Sequence, residues 1–143
     1  MNDSVGRRVR FHLAIPVSDL DAAEVFYGGL LGCPTGRRDT KWIDFDFFDH
    51  QLVIHLDPAP STHGTNPVDG ENVPVRHFGV LLDRDTWQKL ADRLSTENAD
   101  FLIEPTLRHR GAPGEQAVFF IADPSGNALE FKSMTHPENV FVA

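Results

Sequence analysis

The chain has 143 residues, 41% of them hydrophobic and 24% charged, and a formal net charge of −8. That balance describes one soluble globular domain, large enough to bury about two-thirds of its unfolded surface. Acidity of this size argues against nucleic acid or an anionic membrane as partner, and no apolar run approaches the length of a membrane span.

The opening stretch, Met1 to Arg8, carries early charge and no apolar core, so no secretory leader is expected. From Val9 to Val17 the residues alternate, with Phe11, Leu13, Ile15 and Val17 on one face and His12, Ala14 and Pro16 on the other. Asp21-Ala-Ala-Glu24 has the capping-box form and predicts a helix running to about Leu31, with Gly32 suited to its C-terminal cap. The single cysteine, Cys33, follows that helix and precedes Pro34. It excludes an internal disulfide, reads as buried and inert, and fits a reducing, cytoplasmic setting. Strands are predicted at about Pro34–Arg38, Lys41–Phe48 and Gln51–Leu56, with a turn at Asp49-His50. Trp42, Asp44 and Asp46 alternate with Ile43, Phe45 and Phe47, and the two acids are expected to face solvent.

The stretch 57–74, rich in Pro, Gly, Ser, Thr and Asn, exceeds ordinary connections and is expected to be a flexible linker or a lid. Alternation then returns from Val75 to Leu82, with Phe78, Val80 and Leu82 opposite His77, Gly79 and Leu81. Asp85-Thr-Trp-Gln88 predicts a second helix to about Leu94, followed by strands at about Phe101–Leu107, Gln116–Ala122 and Ala128–Lys132. Asp123-Pro-Ser-Gly-Asn127 is turn chemistry between the last two. His109 and Arg110, before Gly111-Ala-Pro-Gly114, belong to a surface turn, and His50, His63 and His136 read as solvated turn or loop residues.

Each half therefore reads strand–helix–strand–strand–strand. The expected fold is one α+β domain of two βαβββ modules, at about 9–57 and 75–132, with a tail at 133–143. Superimposing the halves on their apolar faces sets Phe11-His12-Leu13 on Arg76-His77-Phe78, and Ile54-His55-Leu56 on Leu129-Glu130-Phe131. The second match rests on face alternation alone, because Asp49 to His55 is six residues and Asp123 to Glu130 is seven.

Strand-borne His12, His77 and Glu130, each flanked by apolar neighbours, need partners if their face is closed, since an unpaired buried charge is costly. One divalent metal answers all three, and the 2-His-1-carboxylate set leaves positions open for chemistry. Such donors accept iron(II), manganese, nickel, cobalt or zinc. His55 is expected to be a metal ligand, a general acid–base near the metal or a wall residue, with the acid–base role preferred.

Several motifs resemble those of the vicinal oxygen chelate superfamily, which includes glyoxalase I, fosfomycin and bleomycin resistance proteins and extradiol dioxygenases. They are Phe11-His12-Leu13-Ala14-Ile15-Pro16-Val17, Arg76-His77-Phe78-Gly79-Val80 and, most specific, Phe119 to Glu130. The resemblance spans about Val9 to Lys132. It implies an open cupped mixed sheet around a metal held by His12, His77 and Glu130. Small proteins described as predicted extradiol dioxygenases are nearest, which implies iron(II) or manganese and a catechol-like small-molecule substrate. Ring-cleaving enzymes carry a tyrosine where this chain has Phe120, and a histidine where it has Gly111-Ala112-Pro113. A glyoxalase- or isomerase-type enzyme using no oxygen, and a non-catalytic binding protein, are the alternatives. The resemblance also implies a homodimer, with Lys41–Phe48 and Phe141-Val142-Ala143 as candidate contacts.

Overall fold

The structure is a computed structural model that describes residues 9–60, 65–68, 70–74 and 76–142. The opening stretch read for a leader, His63, Val75, Ala143 and part of the 57–74 stretch lie outside the described residues. The chain divides into two compact units, Met1–Pro60 and Ser61–Ala143. No helix among the described residues is long and apolar enough to cross a membrane.

The first unit runs β1 (His12–Val17), α1 (Leu20–Glu24), a π-helical turn (Val25–Leu30), β2 (Thr35–Arg38), β3 (Trp42–Phe47) and β4 (His50–Leu56). Its four strands lie in the order β1-β4-β3-β2, with β1 parallel to β4 and the other pairs antiparallel. This is the expected βαβββ module. The apolar positions of the alternating strands, Val17, Ile43, Phe45, Leu52 and Ile54, are buried together with Tyr27 of the helical segment. The Tyr27 and Phe45 rings stand 5.7 Å apart. Cys33 is buried. The β3–β4 turn uses left-handed backbone at Phe48 and Asp49 (φ 52° and 72°), the two-residue hairpin geometry that matches strand twist.

The second unit repeats the plan: β7 (His77–Leu81), α2 (Arg84–Thr96), β8 (Phe101–Arg108), β9 (Gln116–Ala122) and β10 (Ala128–Met134), in sheet order β7-β10-β9-β8. One face of this sheet, with Phe119, Ile121, Leu129 and Phe131, is buried, as are Trp87, Leu90, Ala91 and Leu94 of α2. Each such large side chain contributes about 1.5–3 kcal/mol of burial. Trp87 Nε1 donates to the Phe131 carbonyl at 3.0 Å, which satisfies the one polar atom of the indole.

Three expectations change. Both helices begin two residues earlier than the capping-box pattern predicts. Asp19 accepts from the Ala22 amide at 3.1 Å and Asp83 from the Thr86 amide at 2.9 Å. Asp21 and Asp85 fall instead in the first turn, where a carboxylate favours the helix dipole. The stretch 57–74 is not featureless, because β5 (Thr65–Val68) and β6 (Glu71–Pro74) pair as an antiparallel hairpin. Val73 of that hairpin is buried with Ile103 and Phe120. Finally, Asp44 does not face solvent but is 6% exposed.

Candidate metal centre

In the second unit β7 and β10 run parallel, with His77 opposite Ala128 and Gly79 opposite Glu130. Alternation places His77, Gly79, Glu130 and Lys132 on the sheet face opposite Phe78, Leu129 and Phe131. The neighbouring strand carries Phe120 to the same face, opposite Glu130, and its ring meets the His77 imidazole edge-on at 5.0 Å.

His77 Nδ1 lies 2.7 Å from the Pro74 carbonyl. A carbonyl only accepts, so Nδ1 carries the proton and the Nε2 lone pair is left for a metal. That Nε2 stands 3.7 Å from Oε2 of Glu130. Glu130 is buried, and its other oxygen is ion-paired with Lys132 Nζ at 3.0 Å. Burial, and secondarily the nearby Arg108 guanidinium, push the Lys132 ammonium below its usual range. Gly79 is what lets the two strands close here, because a Cβ built on it would collide with the Glu130 backbone carbonyl.

In the first unit His12 Nδ1 lies 2.8 Å from Gln51 Oε1. The Gln51 amide donates through Nε2 to Asp44 Oδ2 at 3.3 Å, which orients its oxygen toward His12. His12 therefore adopts the same tautomer as His77 and likewise keeps Nε2 free. Asp44 is held in turn by the Arg37 backbone amide and by Arg37 Nε. His12, Gln51 and Asp44 line a cavity of about 430 Å³ that also touches Arg10 and His50. His50 opens β4 rather than a loop, and its Nδ1 accepts from the Phe11 amide at 3.0 Å.

His55 is exposed on β4, beside Pro16 of β1 and Trp42 of β3. The register overturns its superposition on Glu130. His12 pairs with Gln51 as His77 pairs with Ala128, so the residue matching Glu130 is Val53, and His55 matches Lys132. The cause is the turn before each last strand: Phe48-Asp49 is a two-residue hairpin, whereas Asp123–Asn127 is a longer turn with Gly126 at φ 86°. In that turn the buried Asp123 carboxylate accepts from the Ser125 and Asn127 amides, as its sequence predicts.

Among the described residues no three His, Cys, Asp or Glu form a group able to hold a metal. His77 and Glu130 are brought together in the second unit, while His12 and His55 belong to the first. Gln51, Asp44 and Lys132 were not anticipated as supports of the site. Lys132 had a legible signal, standing two residues beyond Glu130 on the same strand face. Gln51 had none, because its role comes from pairing with His12.

Residues 10–131 match the glyoxalase/bleomycin resistance protein/dioxygenase superfamily. The chain belongs to this superfamily. A glyoxalase/bleomycin resistance protein/dioxygenase from Alicyclobacillus acidocaldarius is 35% identical, with a TM-score of 0.76 over 93% of this chain and 96% of that one. Two more distant structures share the fold. FosX, a fosfomycin resistance protein from Listeria monocytogenes, is 12% identical, with a TM-score of 0.69 over 90% of this chain and 95% of that one. A lactoylglutathione lyase from Agrobacterium tumefaciens is 20% identical, with a TM-score of 0.61 over 90% and 95%. No functionally curated protein matches the chain in sequence.

Proposed function

We propose that this chain is a divalent-metal-dependent enzyme whose ligands are His12, His77 and Glu130 and whose substrate is a small molecule offering two oxygens to the metal. The observation that carries the reading is the pair His77 Nε2 and Glu130 Oε2, 3.7 Å apart, each with its companion atom already engaged. Two donors at that separation both lie within reach of one ion at about 2.0–2.2 Å per bond. The donor set of two imidazoles and a carboxylate fits iron(II) or manganese first, and zinc, nickel or cobalt also. Once bound, such an ion acts as a Lewis acid on the substrate oxygens and, as iron(II) or manganese, also offers a position for dioxygen.

The residues around it have separate tasks. The Pro74 carbonyl and the Gln51 amide fix both imidazoles in the Nε2-donor tautomer. Lys132 occupies one Glu130 oxygen and leaves the other turned toward His77 Nε2. Phe120, fully buried, keeps water from that wall of the His77 ring. His55 is the candidate general acid–base. The buried Cys33, the chain's single cysteine, supports a reducing, cytoplasmic setting.

Within this reading the substrate is a catechol-like diol and the reaction an extradiol-type oxygenation. Phe120 favours a second reading, a lyase or isomerase that uses no oxygen, because ring-cleaving enzymes carry a hydroxyl at that place. Oxygen uptake by the iron(II)-loaded protein over a panel of catechols decides between them. Uptake coupled to substrate loss supports the oxygenase. No uptake by protein that retains its iron removes it and leaves the lyase or isomerase. Protein that binds no metal would return the chain to the class of non-catalytic binders.

A further inference from the structure

The β5–β6 hairpin forms a two-stranded sheet of its own. A lone hairpin is marginal in water, so its place depends on what it docks against. Val73 is the buried residue of β6, and it clusters with Ile103 and Phe120. Ile103 and Phe120 pair across β8 and β9, and Phe120 pairs in turn with Glu130. The cluster therefore lies on the face of the second sheet that carries His77 and Glu130.

Two routes lead from the hairpin to the same imidazole. Pro74, next to Val73, offers its carbonyl to His77 Nδ1 at 2.7 Å. Phe120, which packs with Val73, meets the His77 ring edge-on at 5.0 Å. Val73, Phe120, His77 and Pro74 thus close a ring of contacts. Pro74 ends β6 opposite Thr65, so a hairpin that lifts off the sheet takes the carbonyl with it. The imidazole then loses the acceptor that keeps its proton on Nδ1.

We infer that Val73 is a positioning residue for His77, and that docking of the β5–β6 hairpin and metal binding at His77 Nε2 are coupled, each favouring the other. Val73 acts through its neighbour, by seating the strand that carries the Pro74 carbonyl. Coupling of this kind is reciprocal, so a hairpin that prepares the ligand is itself held down by the metal. The inference rests on the metal-enzyme reading, whose site it supplies with a regulating element. The tautomer it requires can be read without metal.

The test uses the full chain and Val73→Asp, whose carboxylate would be costly to keep in an apolar cluster. Val73→Ala is the milder variant should the aspartate prevent folding, and Val73→Ile restores the apolar contact. Leu90→Ala truncates a buried side chain of α2 instead, and circular dichroism confirms that each variant is folded. Nitrogen NMR of the metal-free samples at about pH 8, above the ordinary imidazole range, reads which ring nitrogen of His77 carries the proton. Wild type, Val73→Ile and Leu90→Ala are expected to show Nδ1–H, and Val73→Asp and Val73→Ala a mixture of tautomers. Cobalt(II) affinity is expected to fall about tenfold or more in those last two, the scale of losing an outer partner of a ligating histidine. Leu90→Ala should bind cobalt as the wild type does. Hydrogen exchange at the β5 and β6 amides of the wild type should slow by a matching factor on cobalt loading. Wild-type tautomer or wild-type cobalt affinity in folded Val73→Asp would overturn the inference, as would equal losses in Leu90→Ala or hairpin exchange indifferent to bound cobalt. A wild-type chain that binds no cobalt removes the metal reading and the coupling with it, and the tautomer comparison then decides the role of Val73 by itself.

Discussion

Lys132 and His77 share the Glu130 carboxylate: Oε1 is 3.0 Å from the ammonium and Oε2 is 3.7 Å from the imidazole Nε2. A buried carboxylate held on one side by a cation and open on the other side toward an imidazole nitrogen is suited to complete a metal's coordination. In the first unit the His12–Gln51 contact prepares a second imidazole in the same tautomer.

Gln51→Ala should weaken metal binding by about 10–100-fold, the usual cost of removing an outer partner of a ligating histidine. Overall helicity and strand content should stay unchanged. Calorimetric titration of the metal-free protein with manganese measures it, and unchanged affinity would show that the Gln51 contact does not orient His12.

His55→Ala should leave metal content near that of the wild type and lower turnover by roughly a hundredfold or more, the scale of a lost general acid–base. The register that matches His55 with Lys132, and not with Glu130, makes this separation sharper. Metal loss comparable to that of His12→Ala would instead make His55 a ligand.

Gly79→Ala should destabilise the chain by about 1–3 kcal/mol, the range for forcing a methyl group into filled space. The obstruction is Glu130 backbone, which cannot swing aside as a side-chain tip does. Urea denaturation should show a lowered midpoint at unchanged slope, and metal affinity should fall with it because Glu130 has to move. A midpoint equal to that of the wild type would mean that β7 and β10 can separate freely.

The chain should form a homodimer. Two-fold dimers are the commonest soluble oligomers, and Phe11, Phe141 and Val142 are large apolar side chains that this chain leaves exposed. The tail segment remains a candidate contact. In Lys41–Phe48, Phe45 and Phe47 are buried in the first unit and are not available for one. Sedimentation equilibrium at micromolar concentration should give twice the 16.0 kDa chain mass, and a monomer mass would reject the pairing.

The βαβββ plan was readable because strand alternation and helix starts are local. Phe11 to Val17 and Val75 to Leu82 each declare a buried and an open face, and the ends of β9 agree with the expectation at both residues. Cap position was misread because an aspartate two residues before each capping box reaches the same kind of amide more directly. Register was the larger failure. Which residue of β4 sits beside His12 depends on the length of the preceding turn, and alternation repeats every two residues, so it cannot tell Val53 from His55. The supports of the site share that difficulty. Gln51, Asp44 and Lys132 act through partners on adjacent strands, and no spacing along the chain encodes them.

The most direct test is the metal stoichiometry and affinity of the full chain, measured with cobalt(II) by titration and by the visible spectrum of the bound ion. The account predicts one ion per chain, with His12→Ala, His77→Ala and Glu130→Gln each weakening binding by about a hundredfold or more, beyond the 10–100-fold cost of losing an outer partner. Wild-type affinity and spectrum in any one of these three variants would contradict the proposed ligand set.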